Sequence, residues 1–184
     1  MSVSDYTLSQ PEIIAGCTRN ERRAQELLYR QYYHSMVSLC IRYTKNQEDS
    51  LEVLQNGFLK IFQNIQHFDE SKSSLYTWIR TIMVRTAIDF LRKKNQQPEV
   101  IGWEEEFDPA IDSEVMQRMS AQQILQLVQR LPETTQAVFN LYVMEGYTHK
   151  EIGELIKISE GTSKWHLSEA RKQLVGFLKI QQRA

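Results

Sequence analysis

Four histidines, His34, His67, His149 and His166, are the side chains best suited to metal binding or to proton transfer near neutral pH. None stands in a His-x-x-x-His or Glu-x-x-His pair, the spacings that set two ligands on one helix face. Each therefore reads as a surface or cap residue. Glu104-Glu105-Glu106 offers neighbouring carboxylates, but the stretch around it has no hydrophobic period. Nothing there would hold two carboxyl groups in place or push their pKa values apart. Gly102, Gly146, Gly153 and Gly161 are isolated, so no glycine-rich loop can wrap a phosphate. Cys17 and Cys40 lack CxxC or CxxH spacing and read as reduced, small apolar residues. Trp103 reads as an anchor in a linker. The expectation is a protein that is no enzyme and uses no metal or cofactor.

The cations are more informative. Arg80, Arg85, Arg92, Lys93 and Lys94 lie close together with only Asp89 among them, and Lys157, Lys164, Arg171, Lys172, Lys179 and Arg183 form a second group. Between the groups stand Glu99, Glu104, Glu105, Glu106, Asp108, Asp112 and Glu114, with no Lys or Arg. Two basic surfaces separated by an acidic segment suggest two anion-binding sites, although charge alone fits solvated helix faces equally well. The net charge of −1 argues against coating nucleic acid by bulk attraction.

The elements that position these groups are all helical. Ser9-x-x-Glu12 and Thr18-x-x-Glu21 have capping-box spacing, so short helices should begin near each. Ala24, Leu28, Tyr32, Met36, Leu39 and Tyr43 mark one face of a long helix. Asn46 can cap the next, whose buried stripe is Leu51, Leu54, Phe58, Phe62 and Ile65 and whose opposite side carries Asp49, Glu52, Gln55, Asn56, Lys60 and Gln63. Gly57 in mid-helix costs about 1 kcal/mol relative to Ala, tolerable if something packs closely there. A polar loop over 67–74 ends in a Ser cap. The following helix buries Leu75, Ile79, Ile82, Met83, Thr86 and Phe90 and turns Arg80, Arg85, Asp89 and Arg92 outward. Pro98 ends it, and residues 95–114 read as an acidic, flexible linker. Val115 to Leu131 is helical again. Pro132 starts a helix that runs to Glu145, and Gly146 stops it. Thr148-x-x-Glu151 opens a short helix, 156–158 forms a turn, and Ser159 caps a last helix burying Leu167, Ala170, Leu174, Phe177 and Leu178.

The fold expected is all-α, with two small helical domains, 1–94 and 115–184, joined by the linker. The 184 residues suffice for two such cores, at 41% hydrophobic and 24% charged. The sequence has no apolar run long enough to span a bilayer and no basic-then-apolar start, so a cytoplasmic protein without direct membrane contact is expected.

Residues from Thr148 to about Leu174 make a helix-turn-helix by pattern. Gly161, Lys164, Trp165 and Ser168 share the outward face of its second helix, in the half that enters a major groove. Gly161 and Thr162 can bring backbone N–H groups to a phosphate. Trp165 lies between Lys164 and His166, and Arg171 follows two turns on from Lys164. The plain alternative is a helical hairpin whose Trp165 packs on a neighbouring domain.

At these residues the sequence resembles a known family. Leu131-Pro132, Glu145-Gly146-Tyr147-Thr148, Glu151-Ile152-Gly153, Ile158-Ser159-Glu160-Gly161-Thr162-Ser163-Lys164 and Ala170-Arg171-Lys172-Gln173-Leu174 resemble the fourth conserved domain of extracytoplasmic-function sigma factors. Upstream, Tyr43, Glu48-Asp49, Val53-Leu54-Gln55, Phe58-Leu59-Lys60-Ile61-Phe62, Phe68, Trp78-Ile79, Ile82, Asp89 and Leu91-Arg92-Lys93 resemble the second. The resemblance implies binding to core RNA polymerase and promoter-specific initiation, with promoter DNA as second partner and room for an anti-sigma factor. It implies polymerase docking through Asp49, Glu52, Gln55, Asn56 and Lys60. It implies −10 element recognition and melting through Phe68, Ser74, Tyr76, Trp78, Arg80, Arg85, Asp89, Arg92 and Lys93. The −35 element would fall to Gly161, Thr162, Lys164, Trp165, His166, Ser168 and Arg171. Gln55-Asn56-Gly57-Phe58, Arg85, Trp165 and Glu169 depart from the residues common in the family; the first departure bears on docking, the others on which promoter is read. A sigma-like decoy that binds a regulator without DNA, and a stand-alone helix-turn-helix regulator, are the rival readings.

Overall fold

The computed structural model describes residues 8–94 and 121–181, and every regular element among them is helical. The expected acidic linker lies outside the described residues. The chain divides into two compact units, one comprising residues up to 41 and 46–87, the other 42–45 and residues from 88 onward. Two helices described with the first unit, Arg22–Tyr43 and Leu75–Lys94, have their last residues in the second. Among the described residues no helix is long and apolar enough to cross a membrane.

In the first unit, α1 (Gln10–Thr18) starts at Ser9, whose N–H and hydroxyl both donate to Glu12 Oε2 at 2.7 Å. The second capping box does not form. Thr18 is instead the last residue of α1, and its hydroxyl donates to the Ile14 carbonyl at 3.0 Å. A Thr hydroxyl can bond the carbonyl four residues back as readily as a following N–H, and here the first outlet is taken. The chain turns at Asn20 (φ 58°) and enters α2 (Arg22–Tyr43). All six residues of the predicted α2 stripe are buried. In α3 (Gln47–Asn64) the Asp49 N–H donates to the Asn46 side chain at 2.8 Å, as the cap requires. Val53 and Ile61 join Leu54 and Phe58 in the core, and a 3-10 turn, Ile65–His67, closes the helix. A Cβ on Gly57 would run into the Met83 thioether, so the mid-helix glycine marks where α3 meets α4 (Leu75–Lys94). Ser74 caps α4, accepting the Thr77 N–H at 3.2 Å. The buried side of α4 is wider than its pattern suggested. Val84, Ala87, Ile88 and Leu91 are buried with Leu75, Ile79 and Met83, whereas Ile82 and Phe90 are only partly covered.

The second unit contains α5 (Ala121–Val128) and α6 (Glu133–Phe139). Pro132 is the cap of α6, one position earlier than expected. The helix predicted to reach Glu145 changes pitch into a π turn, Asn140–Met144, and Gly146 (φ 77°) releases the chain. Thr148 and Glu151 form their capping box at the head of α7 (His149–Ile156), with the Thr148 N–H 2.8 Å from Glu151 Oε2. Lys157 adopts the left-handed conformation (φ 63°), and the Gly153 carbonyl accepts the Ile158 N–H at 3.1 Å. α8 (Glu160–Gln181) then begins from Ser159, whose hydroxyl accepts the Thr162 N–H at 3.0 Å. It packs across α6 and α7, burying Leu167, Ala170 and Leu174 with Val138, Phe139 and Ile152.

The turn between α7 and α8 depends on a missing side chain. A Cβ on Gly153 would sit 2.8 Å from the Ile158 carbonyl oxygen, a backbone atom that cannot swing aside. Gly153→Ala should therefore lower the stability of the second unit by about 1–3 kcal/mol. Lys157→Gly should raise it by about 1 kcal/mol, because a left-handed residue with a Cβ carries that strain. Thermal unfolding of the two variants checks both signs.

Candidate nucleic-acid interface

The α7–turn–α8 unit presents one side of α8 outward. Lys164 is exposed there, and Gly161, Thr162, Trp165 and Ser168 are partly covered. Its chemistry is not that of bare cations. Lys164 Nζ lies 2.9 Å from Glu160 Oε1 one turn back, and this bond holds the Glu160 carboxyl below its ordinary range. The Thr162 hydroxyl is 2.8 Å from Ser159 Oγ in the cap. Trp165 meets the neighbouring His166 ring edge-on, with centroids 5.0 Å apart.

His166 itself is a correction to the sequence reading. It is 1% exposed, and its Nδ1 lies 3.0 Å from the Thr135 hydroxyl of α6. A side chain on the core side of α8 does not reach base edges, so His166 leaves the DNA-contacting set and becomes the residue that pins α8 to α6. A second histidine ties α8 to α7. His149 Nδ1 lies 2.9 Å from Ser163 Oγ, and its ring stacks on Tyr142 at 4.5 Å with an interplanar angle of 22°.

The residues expected at a −10 element fall into two groups. At 100° per residue, Trp78, Arg85, Asp89 and Arg92 follow one face of α4, while Tyr76 and Arg80 lie on roughly the opposite side. Arg85, Arg92 and Lys93 are exposed, and Arg92 Nη1 is 3.8 Å from Asp89 Oδ1. Phe68 and Trp78 pack edge-to-face at 5.7 Å, both partly covered. Tyr76, 43% exposed, offers the open aromatic ring of the set. The Ser74 hydroxyl is engaged in its cap, 2.9 Å from Thr77 Oγ1.

On α3, Glu52, Gln55 and Asn56 are exposed, and Asp49 and Lys60 are partly covered. Asp49 is drawn into the helix cap, where Asn46 Nδ2 donates to its Oδ2 at 3.0 Å. Sequence reasoning missed Leu59 as a site residue. It is 55% exposed and shares this face with residues 52, 55 and 56 at spacings of three, four and seven. The available signal was an apolar residue lying off the buried stripe. Beside this face, Tyr29 of α2 rests on Phe58 at 4.5 Å.

Burial drives His166 down to about 4, far below an ordinary imidazole. The folded protein thus takes up this proton only below about pH 4, while the unfolded chain takes it up near 6.5. The contribution is whole above about pH 6.5 and declines as pH falls towards 4, to a ceiling of about 3 kcal/mol. The difference in stability between the protein and His166→Gln should shrink by that order over this window. A pH-independent difference would contradict the buried neutral imidazole.

Comparison with known proteins places both halves. Residues 28–97 match the model of sigma-70 region 2, and residues 121–174 match that of sigma-70 region 4. The chain is similar to the RNA polymerase sigma-H factor of Pseudomonas aeruginosa, 25% identical over 175 residues that cover 89% of this chain and 90% of that protein. It is similar to the same degree to the extracytoplasmic-function RNA polymerase sigma-E factor of Escherichia coli K12, 25% over 179 residues, covering 91% and 93%. Among solved structures, the sigma factor RpoE of Bartonella quintana, in complex with the anti-sigma factor NepR, shares the fold at a TM-score of 0.52 and 18% identity, covering 84% of this chain and 96% of that one. With both regions present in order along one helical chain, this protein belongs to the sigma-70 family of RNA polymerase sigma factors, in its extracytoplasmic-function group.

Proposed function

We infer that this protein binds core RNA polymerase in the cytoplasm and directs it to promoters, the N-terminal residues 1–94 serving docking and the −10 element and residues 115–184 the −35 element. The observation that carries this reading is the pairing of two region matches on one chain, residues 28–97 and 121–174. A lone helix-turn-helix fits many regulators, but region 2 upstream of it fits promoter opening by polymerase. The residues 95–114 would then link the two sites.

The division of labour follows from surface chemistry. The α3 face combines exposed Glu52, Gln55 and Asn56 with Leu59, a polar rim around an apolar anchor, which suits a protein partner better than DNA. On α4, Arg85, Arg92 and Lys93 can follow phosphates, and Trp78 on the same face, packed against Phe68, offers a ring to an unpaired base. On α8, Lys164 can bond guanine acceptors and Trp165 can pack on a thymine methyl, each worth roughly 1–3 kcal/mol of discrimination when well placed. Arg171 lies further along and suits the backbone. The solved complex with an anti-sigma factor supports an anti-sigma protein as a further class of partner for this chain.

Run-off transcription with purified core polymerase on a promoter library tests the reading. Initiation dependent on this chain is expected, and its absence on every promoter would favour the decoy. Leu59→Asp, or Gln55→Lys with Asn56→Lys, should weaken polymerase binding tenfold or more in a titration while the helical circular dichroism signal is retained; roughly 1.4 kcal/mol suffices. Trp165→Ala should re-rank single-base −35 variants, whereas Arg171→Ala should weaken all of them alike.

A further inference from the structure

His149 has a role that the sigma-factor reading leaves open. It is the first residue of α7, half-buried, and it meets α8 at Ser163, the residue before the exposed Lys164. Two contacts fix its ring, the Tyr142 stack and the Ser163 hydroxyl on Nδ1. Ser163 is fully buried, which sets the ring against α8 in one orientation. With Nδ1 so engaged, Nε2 is the ring nitrogen that remains for a further partner.

The charged groups around it come from three places. From α8, Lys164, Arg171 and Glu160 act on the ring; Lys150 follows it on α7, and Tyr142 of the π turn covers one ring face. In the free protein burial weighs most against its proton, then Lys164, with Glu160 opposing and Arg171 adding a little, so the ring titrates below the ordinary imidazole range. Lys164 and Arg171 are the cations already assigned to the −35 duplex, and a phosphate drawn to them would come within the field of the imidazole. Such a phosphate would also offset the repulsion those two cations exert on a ring proton.

We propose that His149 is a phosphate-facing residue of the −35 interface and that promoter binding takes up a proton on it. The inference rests on the reading of α8 as the −35 element's reader. On protonation both ring nitrogens donate, Nδ1 to Ser163 Oγ and Nε2 to a phosphate oxygen, so no hydrogen bond to α8 is lost. A phosphate that raises the imidazole pKa by about one unit makes binding about tenfold tighter at low pH than at high pH, on this residue's account. The contact is to the backbone, so the gain is the same for every −35 sequence.

The test uses the holoenzyme formed with core polymerase and a fluorescent promoter duplex, titrated from pH 6 to 8. Comparison is made with His149→Gln, which keeps a hydrogen-bonding group without the charge, and His149→Arg, which fixes the charge and can still stack on Tyr142. The ratio of wild-type to His149→Gln affinity should rise three- to tenfold as pH falls from 8 to 6, equally on strong and weak −35 variants. His149→Arg should bind at pH 8 as the wild type does at pH 6. A ratio that stays flat with pH, or loss of promoter binding in both variants alike, overturns the proposal and leaves His149 a packing residue. Failure of the wild-type holoenzyme to bind any promoter at every pH overturns the sigma-factor reading itself, and this inference with it.

Discussion

The buried hydrogen bond between Thr135 and His166 Nδ1 fixes where α8 lies, and the outward chemistry of α8 depends on it. A helix that reads another surface must be rigid on one side and chemically available on the other. α8 meets this by burying Ser163, His166, Leu167, Ala170 and Leu174, spaced three, one, three and four apart, against α6 and α7. Apolar contacts alone resist sliding weakly, because a leucine can repack with little loss. A buried imidazole that must keep its one partner resists it more, since an unsatisfied polar group in the core costs about 1–3 kcal/mol. The bond from His149 to Ser163 adds a second fixed point nearer the start of the helix. Together they hold Lys164, Trp165 and Ser168 to a single register, which is what selectivity among similar sites needs.

The α3 helix of the first unit solves a related problem with different means. Gly57 removes a side chain where Met83 crosses, letting α3 and α4 approach, and Val53, Leu54, Phe58 and Ile61 fill the space beside them. That leaves the far side of α3 free of structural duty, so its residues can be chosen for a partner. Leu59 is the clearest sign, an apolar side chain left more than half exposed beside Glu52, Gln55 and Asn56. Solvent exposure of one leucine is common, but its place at the centre of a polar helical face is the arrangement expected of an interface anchor.

Much of this was legible in the sequence because helical stripes and caps are local. The α2 stripe, the Asn46 and Ser74 caps, the capping boxes at Ser9 and Thr148, and the cap at Ser159 all follow from residue type and spacing. What escaped were choices made by tertiary context. Thr18 could cap forward or bond back to Ile14, and only the turn at Asn20 decides between them. His166 sits next to the outward Trp165, and its burial follows from Thr135, thirty-one residues away. The buried side of α4, with Val84, Ala87, Ile88 and Leu91 beside Leu75, Ile79 and Met83, is broader than a single-stripe pattern can express. The π turn after Phe139 adds a residue to one helical turn without any mark in composition.

The charge distribution limits what the chain can do alone. Its net charge is −1, and Lys164, exposed in the first half of α8, is already paired with Glu160. An incoming phosphate or base must compete with that carboxylate, so part of the attraction is spent on breaking an existing contact. Non-specific DNA affinity grows with the number of phosphates neutralised, and a net charge of −1 adds no bulk attraction to it. Weak intrinsic attraction suits a protein whose task, on the proposed reading, is to choose among sites once polymerase has brought it to DNA. A strongly basic α8 would hold the chain on DNA of any sequence and blur the discrimination that Trp165 and Lys164 can supply. The Glu160–Lys164 pair is worth little to stability as an exposed contact; on the proposed reading its consequence is that Lys164 leaves Glu160 only where DNA gives it a better partner.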